Sequence, residues 1–279
     1  MKHVLLSRLM KALQRKPKGF LFLDTHAGRG AYDLAEAESG DSLARKPEWP
    51  DGIGRLWNRD GLPEEIAEYV SLVREFDRSR GNLEPAVRFY PGSPWIARQL
   101  AREQDRMAFC ELHSAECAVL RMEFSRAAMA GGRTPVISEM DGYVGIRALL
   151  PPPERRALVL IDPPYEAQDE FARAAAAVAD GLKRLPGGVF ALWYPLTERA
   201  RVSDFFSAIV ALQPPPTFAA ELSIAGETSD LRMKGCGLLI INPPWQFADE
   251  AASLLEDLAP LLAEGPGAGS QVTWLVPES

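Results

Sequence analysis

The sequence holds little sulfur and almost no histidine: three cysteines (Cys110, Cys117, Cys236) and three histidines (His3, His26, His113) in 279 residues. None is spaced as CxxC or as a Cys/His ligand set, so neither a disulfide framework nor a metal site is expected. Cys110 and Cys236 fall in apolar runs that read as strands, which points to buried thiols and a reducing cytoplasm. No apolar run reaches the roughly eighteen residues that a membrane span needs. The opening "MKHVLLSRLMKALQRK" is broken every few positions by Arg or Lys, so it reads as an amphipathic helix rather than a signal peptide. An excess of positive charge is absent too. The net charge is −7, which argues against a protein that coats nucleic acid. The distribution is uneven, however: Lys2, Arg8, Lys11, Arg15, Lys16 and Lys18 open the chain with no acid among the first twenty residues. A basic end on an acidic body permits one-sided contact with a polyanion; a solvated helix face is the alternative.

What is present is a rhythm of short apolar runs and helical patterns, the signature of βα units and a mostly parallel sheet. Strands are expected at 19–24, 106–112, 135–140, 157–162, 188–194, 218–224, 235–242 and 271–276. "AELSIAG" and "GCGLLIIN" are separated only by a polar loop and read as an antiparallel pair. Residues 40–90 interrupt the rhythm. Within them "LPEEIAEYVSLVREF" places Ile66, Tyr69, Val70, Val73 and Phe76 on one helical face, with Pro63 suited to the first turn. We read one domain over residues 1–279, with 40–90 as a helical insertion between the first and second strands.

Four expected parallel strands in series end in acids or glycines. The first runs into "DTHAGRG" (Asp24, His26, Gly28, Gly30) and the second ends in Glu111. The third ends in Asp141-Gly142, and the fourth in Asp162-Pro163-Pro164-Tyr165. Open α/β sheets bind ligands at these carboxyl ends. One such acid is commonly a helix cap, but four in series point to a bound group. The glycine turn is neither G-x-G-x-x-G nor a Walker loop, because Asp33 stands at the third glycine position and no G-K-S/T follows. A nucleoside-containing cofactor fits: Glu111 can accept both ribose hydroxyls, and Asp141 can meet an adenine amine.

The order D-x-x-A-G-x-G, strand-end acid, DPPY resembles S-adenosylmethionine-dependent methyltransferases acting on the exocyclic amine of adenine. More narrowly, "LDTHAGRG", "YPGSP", "ELH", "LVLIDPPYE", "ALWYP" and "INPPW" resemble the ribosomal RNA large-subunit methyltransferase J family, from about Lys2 to Pro277. The resemblance implies a Rossmann-like class I methyltransferase fold with a mostly parallel sheet of seven to eight strands. It also implies transfer to an adenine N6 in 23S ribosomal RNA, presented as RNA or as a large-subunit precursor. Neither a membrane nor a protein partner is implied. Carried over, cofactor contacts fall on His3, His26, Gly28, Ser93, Glu111, Asp141, Gly142 and Asp162, and the catalytic turn on Asp162, Pro163, Pro164 and Tyr165. His26 and Ser93 are suited to the methionine carboxylate and amine. A DNA adenine-N6 methyltransferase, or a non-catalytic ribosome-binding protein with the same fold, would share much of this pattern. Family members carry a tail rich in Tyr, Arg and His before the Lys-His of the first helix, where this sequence has Met1. Weak cofactor binding without that tail is the corresponding expectation.

The physical reading of DPPY follows from the amine. Its lone pair is delocalised into the ring, so acceptors for its N–H groups favour a more tetrahedral nitrogen. Asp162 supplies one acceptor and a proline carbonyl the other, each worth roughly 1.5–3 kcal/mol when charge-assisted. Tyr165 offers a face to the extruded base, about 1–3 kcal/mol in stacking. "INPPW" has the same outline, but it follows an antiparallel strand and should point to the opposite edge of the sheet. It is read as structural, with Trp245 packing on the last helix. "WYP" at 193–195 ends the fifth parallel strand and reads as a lining of the base pocket.

Overall fold

The computed structural model describes residues 1–35, 49–129, 134–226, 231 and 233–278. Its central sheet has eight strands: β1 (Leu21–Asp24), β4 (Arg106–Glu111), β5 (Val136–Glu139), β6 (Ala157–Ile161), β7 (Val189–Pro195), β8 (Thr217–Ser223), β9 (Gly235–Ile241) and β10 (Gly269–Val276). They lie in the order β10-β8-β9-β7-β6-β1-β4-β5. β7, β6, β1, β4 and β5 run parallel, while β9 is antiparallel to both β7 and β8, and β10 to β8. The mostly parallel α/β sheet and the antiparallel pair expected from the sequence are both present.

The apolar runs are covered on both faces, and the period of two along each strand divides them. Phe22, Phe109, Leu158, Leu160, Ala191 and Ile240 face one layer. That layer contains α1 (Lys2–Gln14), α3 (Glu64–Ser79), α4 (Ser93–Leu100), α5 (Ser114–Met129) and α9 (Phe247–Leu262). Leu21, Leu23, Val159, Ile161, Phe190 and Leu192 face α6 (Gly142–Leu149), α7 (Glu170–Arg184) and α8 (Arg199–Ala211). α7 buries Ala174, Ala175, Ala177 and Val178, a face of small side chains that lets the helix lie close to the sheet. Its last turn carries Lys183 and Arg184, favourable at the negative end of the helix dipole.

Between β1 and β4 the chain adds α2 (Ile53–Trp57) and α3. All five residues expected on the buried face of α3 are buried, and Pro63 stands at its N-cap, one place before the first turn. Residues 40–48 of the expected insertion lie outside the described residues. A two-stranded ribbon, β2 (Ala31–Asp33) with β3 (Phe89–Pro91), was not anticipated. Three residues per strand give no legible alternation, and β2 emerges directly from the glycine turn. No helix among the described residues is long and apolar enough to cross a membrane.

Candidate active site

The four acid-bearing strands are immediate neighbours in the sheet, so their carboxyl ends form one continuous edge. At the end of β1 the chain turns sharply. Gly28 and Gly30 sit at φ +59° and +80°, a region that favours glycine. The Gly28 amide donates to Glu111 Oε2 at 2.8 Å, and the His113 amide to Oε1 at 2.7 Å. Glu111 is therefore fixed by the backbone, and each oxygen retains a second acceptor site for a hydroxyl. Gly142 begins α6 against this same turn; a Cβ there would lie 1.9 Å from the Thr25 carbonyl oxygen. Only glycine permits that approach.

Asp24 is fully buried. It accepts from Ser93 Oγ at 2.6 Å and from the His26 amide at 3.2 Å. Burial pushes its carboxyl up to about 6, against the opposing effect of the Ser93 hydrogen bond. His26 lies edge-on to Tyr143, 5.2 Å between ring centres, and its Nδ1 is 2.8 Å from Thr25 Oγ1. Burial lowers the His26 imidazole pKa, which the surrounding carboxylates only partly offset. Asp141 caps α6 by accepting from the Tyr143 and Val144 amides, and its Oδ2 accepts from Arg173 at 3.0 Å. This acid thus takes the helix-cap role that any single strand-end carboxylate can take.

Asp162 follows β6, and its Oδ2 is paired with the Lys2 ammonium. Burial pulls Lys2 down, but the charge and hydrogen bond of Asp162 outweigh it, so the ammonium is held protonated more firmly than usual. Oδ1 makes no hydrogen bond among the described residues. The carbonyls of Pro163 and Pro164 likewise accept none there. Tyr165 turns the chain at φ +52° and donates its hydroxyl to the Trp193 carbonyl at 2.7 Å. Its ring packs 4.7 Å from Phe171 and 5.9 Å from Trp193, and the Lys2 ammonium lies 5.9 Å over Trp193. Asp162 is thereby framed by an aromatic wall and a cation. His3, one residue on from Lys2, stacks on Tyr90 at 5.7 Å, with Nδ1 2.8 Å from the Tyr90 hydroxyl. Tyr90 in turn meets the Tyr69 hydroxyl at 2.5 Å. Burial holds the His3 imidazole well below its usual value, and hence neutral at pH 7.

Every residue singled out from the sequence for the site is described, and the strand-end residues share this edge. Three participants had been given no cofactor or catalytic role. Asp24 was visible as the acid opening "DTHAG", Lys2 was read only as part of a basic end, and Tyr90 stands in the unrecognised ribbon. "INPPW" is at the opposite edge, as β9 requires: the Asn242 amide donates to Pro216 O at 2.8 Å, and Nδ2 faces Gly188 O at 3.4 Å. Trp245 corrects one expectation. It does not pack on α9 but is 72% exposed, because it precedes the helix at a left-handed Gln246 (φ +63°) and the buried face starts only at Phe247.

Known proteins match nearly the whole chain. A family model described as "Ribosomal RNA large subunit methyltransferase D, RlmJ" matches residues 17–276. "Ribosomal RNA large subunit methyltransferase J" of Escherichia coli strain K12 is 36% identical over 278 residues, covering 100% of this chain and 94% of the relative. The protein of the same name in Haemophilus influenzae is 36% identical over 279 residues with the same coverage. A crystal structure from Legionella pneumophila superposes with a TM-score of 0.82 at 32% identity, covering 98% of this chain and 94% of its own. The chain belongs to the ribosomal RNA large subunit methyltransferase J family.

Proposed function

We propose that this chain transfers a methyl group from S-adenosylmethionine to the exocyclic N6 of an adenine in 23S ribosomal RNA, as naked RNA or in a large-subunit precursor, in the cytoplasm. The observation that carries the reading is the Asp162-Pro163-Pro164-Tyr165 turn: one carboxylate oxygen is pinned by Lys2, and among the described residues neither the other oxygen nor the proline carbonyls have a hydrogen-bond partner.

The residues along the edge fit the cofactor. Asp24 is a buried carboxylate whose pKa is raised by desolvation, so a cationic ammonium arriving beside it would restore its charge. Glu111 would hold the ribose hydroxyls through its remaining acceptor sites. His26, Gly28, Ser93 and Gly142 line the same turn, with His3 on α1 and Asp141 at the head of α6. When bound, S-adenosylmethionine supplies an already activated sulfonium methyl, so alignment accounts for much of the remaining catalysis. The chain's own work is on the amine. Asp162 Oδ1 accepts one N–H and a proline carbonyl the other, which draws the nitrogen lone pair out of conjugation. Tyr165 and Trp193 wall the position of the flipped base.

The test is labelled methyl incorporation into naked 23S fragments beside duplex DNA carrying adenines. Transfer to RNA is expected. Transfer to duplex DNA alone would make this a DNA enzyme, and transfer to neither would favour a ribosome-binding role without catalysis.

A further inference from the structure

Two histidines stand at the site, and each has one ring nitrogen against a hydroxyl whose own hydrogen is already committed. His26 Nδ1 lies 2.8 Å from Thr25 Oγ1, and that oxygen donates to the Leu160 carbonyl at 2.9 Å. A carbonyl has no hydrogen to give, so the one hydrogen of the buried Thr25 hydroxyl belongs between those two oxygens. Toward His26 the hydroxyl can only accept, and Nδ1 must carry the ring hydrogen. In the neutral ring Nε2 is then an acceptor.

His3 is set the other way. Its Nδ1 lies 2.8 Å from the Tyr90 hydroxyl, which lies 2.5 Å from the Tyr69 hydroxyl. Tyr69 is buried, and its hydroxyl makes no other hydrogen bond among the described residues. A buried O–H without an acceptor is costly, so Tyr69 donates to Tyr90 and Tyr90 donates to His3 Nδ1. The ring hydrogen of His3 is therefore on Nε2. Among the described residues neither Nε2 has a hydrogen-bond partner. Burial lowers both imidazoles, so at pH 8 both rings are neutral and the difference between them persists.

Both rings are tied to the glycine turn. The His26 amide donates to Asp24 Oδ1, and Ser93, in the segment that follows Tyr90, donates to Oδ2. Tyr90 also pairs with Tyr32 in the ribbon that leaves the turn. A lone pair on His26 beside the Asp24 carboxyl suits an ammonium. An N–H on His3, next in sequence to the Lys2 ammonium, suits a carboxylate.

Resting on the cofactor placement proposed above, we propose that Thr25 and Tyr90 are positioning residues that fix the two histidines in opposite tautomers and so sort the ends of the cofactor's methionine part. His26 Nε2 accepts from the ammonium, and the His3 Nε2–H donates to the carboxylate. Tyr69 ties the helical insertion to the site, because its hydroxyl decides which way Tyr90 donates. A reversed amino acid would set its carboxylate against a lone pair and its ammonium against an N–H, which rejects that pose.

The experiment reads the ring nitrogens directly. Protein labelled with 15N-histidine is recorded without ligand at pH 8 by long-range 1H–15N correlation. Its three histidines are assigned with His3→Gln, His26→Gln and His113→Gln. His26 is expected with Nδ1 protonated and His3 with Nε2 protonated. Thr25→Val and Tyr90→Phe should each give mixed tautomers at their own ring only, and Thr25→Ser should keep the wild-type pattern. Calorimetry then compares S-adenosylhomocysteine with its decarboxylated and deaminated analogues. Tyr90→Phe should weaken S-adenosylhomocysteine about fivefold to tenfold but the decarboxylated analogue about twofold at most. Thr25→Val should show the same contrast with the deaminated analogue. Thr25→Val leaves the Leu160 carbonyl its bond from the Thr25 amide at 3.0 Å. Tyr90→Phe strands the buried Tyr69 hydroxyl, so Tyr69→Phe/Tyr90→Phe carries the test if the single variant unfolds. Either histidine in the other tautomer, or variant losses equal for all three ligands, would overturn the sorting alone. A wild type that binds none of the three would overturn the cofactor placement beneath it.

Discussion

The Lys2 ammonium pairs with Asp162 Oδ2, so the first residue of α1 holds the carboxylate at the end of β6 across 160 positions of sequence. The two side chains are 25% and 16% exposed, which makes this neither a fully solvated pair nor a dry one. Its consequence is orientation. With Oδ2 occupied, Oδ1 is the oxygen left to face an amine.

Lys2→Met is therefore expected to slow methyl transfer by about tenfold to a hundredfold at saturating substrates, because Asp162 loses its orienting partner. Loss of a partly buried pair also costs about 1–3 kcal/mol of stability. Single-turnover rates and thermal unfolding check the two effects separately. An unchanged rate with reduced stability would make the pair structural only.

Asp162→Ala is expected to reduce methyl transfer by at least a thousandfold with little change in the circular dichroism spectrum, since it removes an acceptor at a strand end and not a core group. Asn242→Ala should leave turnover within a few fold, because that side chain makes one long bond to Gly188 O at the opposite edge. Methyl incorporation by both variants decides the matter. Loss of activity in the second with retention in the first would reverse the assignment of the two Pro-Pro motifs.

The two motifs show what the sequence carries and what it does not. Direction of β9 was legible because a short polar loop cannot make a parallel crossover, and that alone sent "INPPW" to the far edge. The strand ends Asp24, Glu111, Asp141 and Asp162 were legible because acids after apolar runs mark where strands stop. Pairings between distant segments left no such trace. Nothing in "MKH" announces that Lys2 meets Asp162 or that His3 meets Tyr90, because α1 is placed by its apolar face on the core and its first polar residues follow. Trp245 was misread for a related reason. A bulky aromatic beside a helix suggests packing, whereas the left-handed Gln246 turns it outward.

Tyr165→Ala is expected to lower kcat/KM for RNA by about fivefold to 150-fold, the range that loss of about 1–3 kcal/mol of base stacking gives. S-adenosylhomocysteine affinity should fall far less, since the Tyr165 ring packs toward Phe171 and Trp193 and its hydroxyl ends on the Trp193 carbonyl. Tyr165→Phe, which keeps the ring and loses only that hydrogen bond, should retain most activity. Calorimetry beside the kinetics is the check. Equal losses in cofactor and RNA terms would place the ring in the cofactor pocket instead.

Asp24 makes cofactor affinity depend on pH. Burial raises its carboxyl from an ordinary 3.8 to about 6, so the folded chain without cofactor keeps a proton there that the unfolded chain has released. The stability that this group contributes is complete below 3.8 and is lost as pH rises through about 6. Binding of a cationic ammonium runs the other way, because it requires the ionised form. Affinity for S-adenosylhomocysteine should therefore fall as pH is lowered through about 6, with a proton released on binding below that point. Burial lowers the His26 imidazole as well, so the wild-type profile by itself does not separate the two groups. Asp24→Asn does. It keeps an oxygen for Ser93 Oγ or the His26 amide but removes the titration, so binding should be weaker at pH 8 and flat between pH 5 and 7. Calorimetry in buffers of different ionisation enthalpy counts the proton directly. An Asn variant that kept the wild-type slope would assign the titration to His26 and leave Asp24 as a buried structural acceptor.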